Sequence, residues 1–234
     1  MKYEEMKPED YRRAKDAVPV AYLPWGAHEW HGLQNPLGTD SLKAHGQCLE
    51  LCAETGGIVF PPVYCGHLTM KPHMGFDCTL EFSTDCIKLL AREYLDQIAD
   101  EGFEVIVMVM GHYGPLHVEA LQQEIDAFNA RQDKCIAWGF PDCVPTDADG
   151  FPGDHAAGSE TSYMMYFRPE LVDLARLPQD HDLTMQEDGI GGSIDPRTGA
   201  SAKRGRDGTA SLVRNVAPRV RELLKEKTGN GELG

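Results

Sequence analysis

The stretch that most restricts how this chain can fold is "VIVMVM", Val105–Met110. Six apolar residues in a row, four of them β-branched, leave no side for water. Such a strand must be covered on both faces. Helical patterns flank it. Ile87, Leu90, Ala91, Tyr94 and Ile98 fall on one side of a helix expected over 83–100, which Gly102 terminates. Val118, Leu121, Ile125 and Phe128 mark the next helix. A doubly buried strand between two helices is the connectivity of a parallel sheet.

The same alternation extends both ways. Apolar runs at 18–23 and 135–140 read as buried strands, and 58–66 as another that Pro61 and Pro62 end early. Leu42, Cys48, Leu49 and Cys52 fit a helix over 41–55, stopped by Gly56 and Gly57. A short helix within 153–168 ends at Pro169, and 171–206 is loop-rich. Leu212, Val213, Val216, Val220 and Leu223 suggest a closing helix, kinked or delayed by Pro218. The tail "KTGNGELG" is expected to fray. The expected fold is a three-layer α/β/α sandwich with a mostly parallel sheet. With 234 residues, 41% of them hydrophobic, and no repeat or linker, one domain over 1–234 suffices.

Twenty-two basic against 37 acidic residues give a formal charge of −15. That surface argues against nucleic acid and anionic membrane as partners. The polar N-terminus resembles no targeting peptide, and no run approaches the ~18 apolar residues of a membrane span. Seven scattered cysteines without a C-x-x-C pair read as reduced thiols of a cytoplasmic protein. Cys48 and Cys52 share a helix face and are expected to pack.

Three polar clusters follow strands. Glu29, His31 and Asp40 lie in "LPWGAHEWHGLQNPLGTD"; His112 opens "GHYGPLH"; Asp154, His155 and Glu160 stand in "GDHAAGSETS". Ligands of α/β sheets bind beyond the carboxyl ends of the strands, so a parallel sheet would gather all three clusters at one edge. Carboxylate and imidazole together suit Zn²⁺, Mn²⁺ or Fe²⁺. Glu29 and His31, two apart, point the same way in an extended segment, and Asp40 is placed to bridge two ions. Taken singly, Asp40 reads as a helix N-cap, Glu160 as a partner of a helix dipole and His112 as a core histidine. His28 and His45 read as structural. "HEWH" is not H-E-x-x-H, "AGSET" is not G-x-S-x-G, "GIGGSID" lacks a nucleotide-binding spacing, and there is no P-loop.

These clusters resemble the creatininase (creatinine amidohydrolase) family. Its opening signature, roughly G-s-x-E-q-H-G then l-P-l-G-T-D, stands here as "GAHEWHG" and "NPLGTD". Its G-H-x-x-N turn corresponds to "GHYGPLH", its H-A-G-x-x-E-T-S block to "HAAGSETS", and its G-D-P-x-x-A-S-A-x-x-G-R stretch to "SIDPRTGASAKRGR". The likeness runs from about Leu23 to Arg206. It implies a three-layer α/β/α fold, a hexamer built from dimers, and one or two divalent ions per subunit. Glu29, His31, Asp40 and His112 match its metal ligands, and His155 its proton-shuttling histidine. Glu160 matches the acidic residue of the E-T-S block, a ligand or a support for one.

Two departures bear on chemistry. In the family's namesake the segment after the strand reads H-Y-E and the glutamate is a ligand, whereas here it reads His112-Tyr113-Gly114; the second ion is then weaker or uses Glu160. The namesake also closes over its substrate with two tryptophans. Trp138 is one candidate here, and no Trp stands beside His155. The expected activity is a metal-dependent hydrolase. Metal-activated water attacks a carbonyl of a small cyclic amide, formamide or cyclic keto-polyol, with His155 passing the proton. A metal-dependent isomerase or lyase of a keto-sugar or polyol, and a non-catalytic relative, are the alternatives. Specificity is expected in the loops at 69–79, with His73, and 189–206.

Overall fold

The computed structural model describes residues 1–228. Its strands are β1 (Val20–Trp25), β2 (Ile58–Val59), β3 (Val105–Met110) and β4 (Ile136–Pro141), all parallel in the order β2-β1-β3-β4. Its helices are α1 (Pro8–Ala17), α2 (Thr39–Thr55), α3 (Met70–Met74), α4 (Thr84–Asp100), α5 (Pro115–Arg131), α6 (Gly158–Phe167), α7 (Pro196–Gly199) and α8 (Ala202–Thr228). Of the tail expected to fray, Lys227 and Thr228 close α8 and 229–234 lie outside the described residues.

Strand periodicity divides the core into two. Ala21, Leu23 and Trp25 of β1 with Ile106, Met108 and Met110 of β3 pack on Ile87, Ala91, Leu95 and Ile98 of α4 and Leu121, Ile125 and Phe128 of α5. The alternate residues, Val20, Tyr22, Val105, Val107 and Val109, face Cys48 and Leu51 of α2 and Leu212, Val216 and Val220 of α8. Each large aliphatic so buried contributes ~1.5–3 kcal/mol, and the sheet is covered on both sides, as its apolar strands require. Helices on both faces of a parallel sheet make the expected sandwich.

Several boundaries move for identifiable reasons. β1 runs past the expected end at residue 23 and includes Pro24. The carbonyls of Tyr22 and Pro24 both accept from the β2 flank, from Phe60 and Val63. The proline nitrogen faces that flank too, where β2 has already ended at Val59, ahead of Pro61 and Pro62, so the missing N–H breaks no ladder. α2 starts at Thr39, which puts Asp40 inside the first turn; Gly38 occupies the cap position and no side chain caps it. The N-cap reading of Asp40 is therefore wrong. α8 starts ten residues before the expected face. Ser201 caps it, its Oγ accepting from Arg204 N at 3.1 Å. The helix continues through Pro218, which is exposed, so the carbonyl that loses its donor is open to water.

Register sets the position of the site. Trp25, Met110 and Pro141 are level across the sheet, so the segments that follow all leave from one edge. At that edge α2 is clasped between two strand ends. A Cβ at Gly26 would lie 2.4 Å from Ser41 N, and one at Gly111 would lie 2.2 Å from the Asp40 carbonyl oxygen. Only glycine allows both approaches, and together they seat Asp40 above the gap between β1 and β3.

Candidate metal centre

Five of the six residues singled out by sequence are buried together at this edge: Glu29, His31, Asp40, His112 and Glu160. His155 completes the group, its side chain 18% exposed. Asp40 divides its carboxylate. Oδ1 lies 2.9 Å from His31 Nε2, and Oδ2 lies 3.3 Å from His112 Nδ1. Glu29 Oε1 stands 3.0 Å from His112 Nδ1, and Glu160 Oε2 stands 3.4 Å from His31 Nε2. Three three-residue groups meet here, Glu29–Asp40–His112, His31–Asp40–Glu160 and Glu29–His31–His155, and Asp40 is common to the first two.

All three histidines are oriented alike. Nδ1 of His31 faces the Glu29 carbonyl at 3.1 Å, Nε2 of His112 faces the His67 carbonyl at 3.0 Å, and Nε2 of His155 faces the Trp30 carbonyl at 2.9 Å. A carbonyl can only accept, so each facing nitrogen carries the proton. The other nitrogen faces the carboxylates and becomes available to ligate a metal once it gives up its proton. Nε2 of His31 and Oδ2 of Asp40 are buried without a hydrogen-bond partner. Polar atoms stranded this way need a further group between them, and the donor set suits a divalent cation.

Electrostatics agree. Burial alone would discharge His31, but Asp40 and Glu160 outweigh it and hold the imidazole well above its ordinary range. Burial opposes the charge on His112 too, and Glu29 and Asp40 again prevail. Burial would raise Asp40, yet the two histidines hold it well below the usual carboxylate range. The cluster recruits protons wherever positive charge is missing. His155 goes the other way, lowered by burial and by the neighbouring His31, so it is a neutral base at neutral pH.

Beside this cluster lies a cavity of about 200 Å³, into which Leu68, Thr69, Met70, His73, Pro115 and Met185 project with Glu29, His112 and His155. The loop expected at 69–79 therefore does line the cavity. From the second expected loop, Gly191 exchanges backbone hydrogen bonds with His155, while the lining residue, Met185, precedes it. Trp138 is not a closing residue. It sits mid-strand on β4, opposite Val107, and packs on Phe140 at 4.7 Å. Trp30 meets His155 through its backbone carbonyl, while its ring stacks on Phe76 at 5.2 Å and donates to the Asp188 carbonyl at 2.7 Å. Asp154, beside His155 in sequence, turns its carboxylate to α6, which it caps by accepting from Ser159 N and Glu160 N. His28 stacks on Tyr64, and His45 is outside the cluster, both as expected of structural histidines.

Sequence reasoning missed a second polar group behind Glu160. Lys43 of α2 is fully buried and donates to Glu160 Oε1 at 2.6 Å and to the Tyr113 hydroxyl at 2.5 Å, with Asp142 Oδ2 3.3 Å away. Tyr113 in turn donates to Asp142 Oδ1. Burial would discharge Lys43, but Asp142 and Glu160 keep it charged; burial likewise opposes the charge of Glu160, and Lys43 with His31 draws it down to about 2. The available signal was Asp40, Lys43 and Gln47, at helical spacing on one face of α2.

The family model described as creatinine amidohydrolase, "Creatininase", matches residues 4–220. The chain belongs to the creatininase family. It is 30% identical to a mycofactocin precursor peptide peptidase of Mycolicibacterium smegmatis, over 93% of this chain and 91% of that one. It is 24% identical to the creatinine amidohydrolase of Pseudomonas putida, over 88% and 84%. A mutant creatininase of Zn-Zn type superposes with a TM-score of 0.76 at 22% identity, covering 94% of this chain and 97% of that structure. This creatininase-family chain is thus an enzyme of the hydrolase class.

Proposed function

We propose that this creatininase-family chain is a divalent-metal-dependent hydrolase of amide bonds, with two ions per subunit. The observation that carries the reading is the divided carboxylate of Asp40, with a histidine on each oxygen and a second carboxylate beside each histidine. Glu29, Asp40 and His112 would hold one ion, and His31, Asp40 and Glu160 the other; Zn²⁺, Mn²⁺ and Fe²⁺ all suit such oxygen and nitrogen donors. Bound divalent ions supply Lewis acidity, polarising a carbonyl and acidifying water enough for attack at neutral pH.

The protein's own part is positioning and proton transfer. His155, neutral and anchored through Nε2 to the Trp30 carbonyl, turns Nδ1 toward Glu29 Oε1 at 3.8 Å and toward the cavity. It is the most exposed histidine of the cluster, with 18% of its side chain accessible against 6% for His112 and none for His31. It takes the proton of the attacking water and delivers it to the leaving nitrogen, a role worth roughly 10²–10⁴ in rate. Leu68, Met70, Pro115 and Met185 form apolar walls that exclude bulk water. Amide cleavage is favoured because two relatives are named for peptide and creatinine substrates. A cavity this small admits a small ring or one terminal residue of a chain.

The reading extends to self-association, supported by Leu33, Leu37 and Leu116, large apolar side chains exposed on segments that follow β1 and β3. It also places the protein in the cytoplasm, in keeping with seven unpaired cysteines. No helix among the described residues is long and apolar enough to cross a membrane. The test is turnover of metal-loaded protein on cyclic amides, formamides and short peptides in H₂¹⁸O. Hydrolysis leaves one solvent oxygen in the product. Turnover without label would identify an isomerase, and metal-free protein that turns over at the full rate would end the metal reading.

A further inference from the structure

We infer that Lys43 is a positioning residue: it fixes the Glu160 carboxylate so that Oε2 faces His31 and Asp40, and so builds the second cation position. The inference rests on the two-ion reading above. Both oxygens of Glu160 are committed. Oε1 accepts from Lys43 Nζ at 2.6 Å, while Oε2 accepts from Ala156 N at 2.8 Å and lies 3.4 Å from His31 Nε2. With one oxygen held on each side, the carboxylate plane cannot turn. Ala156 itself is held in the left-handed region, φ 55°, which aims its N–H at Glu160.

Lys43 is in turn fixed by groups from other elements. It donates to the Tyr113 hydroxyl, just after β3, and pairs with Asp142, just after β4. A lysine is almost never fully buried unless paired, and a buried ion pair is weak evidence of added stability. What this one supplies is geometry, because it ties the α6 carboxylate to α2 one turn beyond Asp40. Asp40 and Glu160, the two carboxylates around His31, are thereby set relative to each other by a single helix.

A fixed ammonium beside a cation position has a second, opposite effect: its charge repels the cation. The two effects give opposite predictions, and Asp142 allows them to be separated. Metal-free wild type, Lys43→Met, and Lys43→Met combined with Asp142→Asn are each titrated with Zn²⁺ against a competing chelator, with Co²⁺ absorption as a readout of coordination. Wild type is expected to take two equivalents. In both variants the first equivalent should bind as in wild type, while the second weakens about 10–100-fold, the usual effect of removing a group that orients a ligand. The Co²⁺ spectrum should change only for that second equivalent.

A second equivalent that binds equally or more tightly in Lys43→Met overturns the inference and makes Lys43 a charge brake. Recovery of wild-type affinity in the double variant also overturns it, since the fault would then lie in an uncompensated Asp142. If Lys43→Met does not fold, the double variant, which leaves no such carboxylate, carries the test. Fewer than two equivalents in wild type would overturn the two-ion reading itself, and that failure is visible before any variant is made.

Discussion

Gly114 stands where the resemblance leads one to expect a glutamate, and replacing it with alanine tests how the centre is built. Its backbone, φ −48° and ψ 119°, is open to any residue, so only space can forbid a side chain. A Cβ there would lie 2.8 Å from the His67 carbonyl oxygen, 2.9 Å from His112 Nε2 and 3.1 Å from the Leu68 carbonyl oxygen. The first two atoms are the acceptor and donor of the 3.0 Å bond that orients His112. Ordinary contact begins near 3.4 Å, so each must move by about half an ångström (3.4 − 2.8 = 0.6; 3.4 − 2.9 = 0.5). The His67–Thr69 backbone resists, because Glu81 accepts from Leu68 N at 2.8 Å, Thr69 N at 2.9 Å and Thr69 Oγ1 at 2.5 Å. A methyl wedged here therefore opens the hydrogen bond, at a cost of about 1 kcal/mol, and crowds the packing for about 1–3 kcal/mol more. Gly114→Ala is expected to lose about 2–4 kcal/mol in urea unfolding of metal-free protein. It should also bind Zn²⁺ about 10–100-fold more weakly in chelator competition, because His112 is no longer oriented. A variant with wild-type midpoint and wild-type affinity would refute this account of both Gly114 and His112.

Three further outcomes follow from the same geometry. Asp40→Asn keeps the shape but removes the shared charge, so elemental analysis should find both ions lost together; loss of one alone would mean that Asp40 does not bridge. His155→Ala should lower turnover by roughly 10²–10⁴ with metal content unchanged, and metal lost along with activity would make His155 a ligand. In metal-free protein the raised His31 and His112 stabilise the fold fully below pH ~6.5, the unfolded value, and that contribution disappears as pH rises through their folded values. The gap in Tm between metal-loaded and metal-free protein should therefore widen as pH rises above neutrality, and Zn²⁺ uptake should release protons in calorimetry. Parallel Tm curves would contradict the assigned charge states.

What could be read of the fold beforehand was whatever one face of one element determines. β3 was legible because its six apolar residues admit no exposed side, and α4 because its face closes on a regular period before Gly102. The errors arose where a neighbour decides. Pro24 looked like the end of β1, and it remains in the strand only because β2 stops short beside it. The residues before Leu212 looked like loop, because a glycine-containing, charged stretch gives no apolar period. Only the Ser201 cap, a signal of a single residue, marks that α8 has begun.

The centre was legible for a different reason. Its ligand types are chemically conspicuous, and a parallel sheet sends every post-strand segment to one edge, so Glu29, His31, Asp40, His112, His155 and Glu160 could be gathered without knowing a single distance. Lys43 was not legible, because a lysine on a helix ordinarily reads as solvated surface. Its meaning depends on Gly26 and Gly111, which draw the first turn of α2 down between two strands until positions that would face water face the carboxylates instead. The same close approach brings Asp40 within reach of both His31 and His112. A side chain at Gly111 would collide with the Asp40 backbone itself, so the glycines after β1 and β3 place the Asp40 carboxylate between His31 and His112 and bury the lysine in one step. Glu160 already stands on the far side of His31, held there by a residue whose burial those glycines make possible.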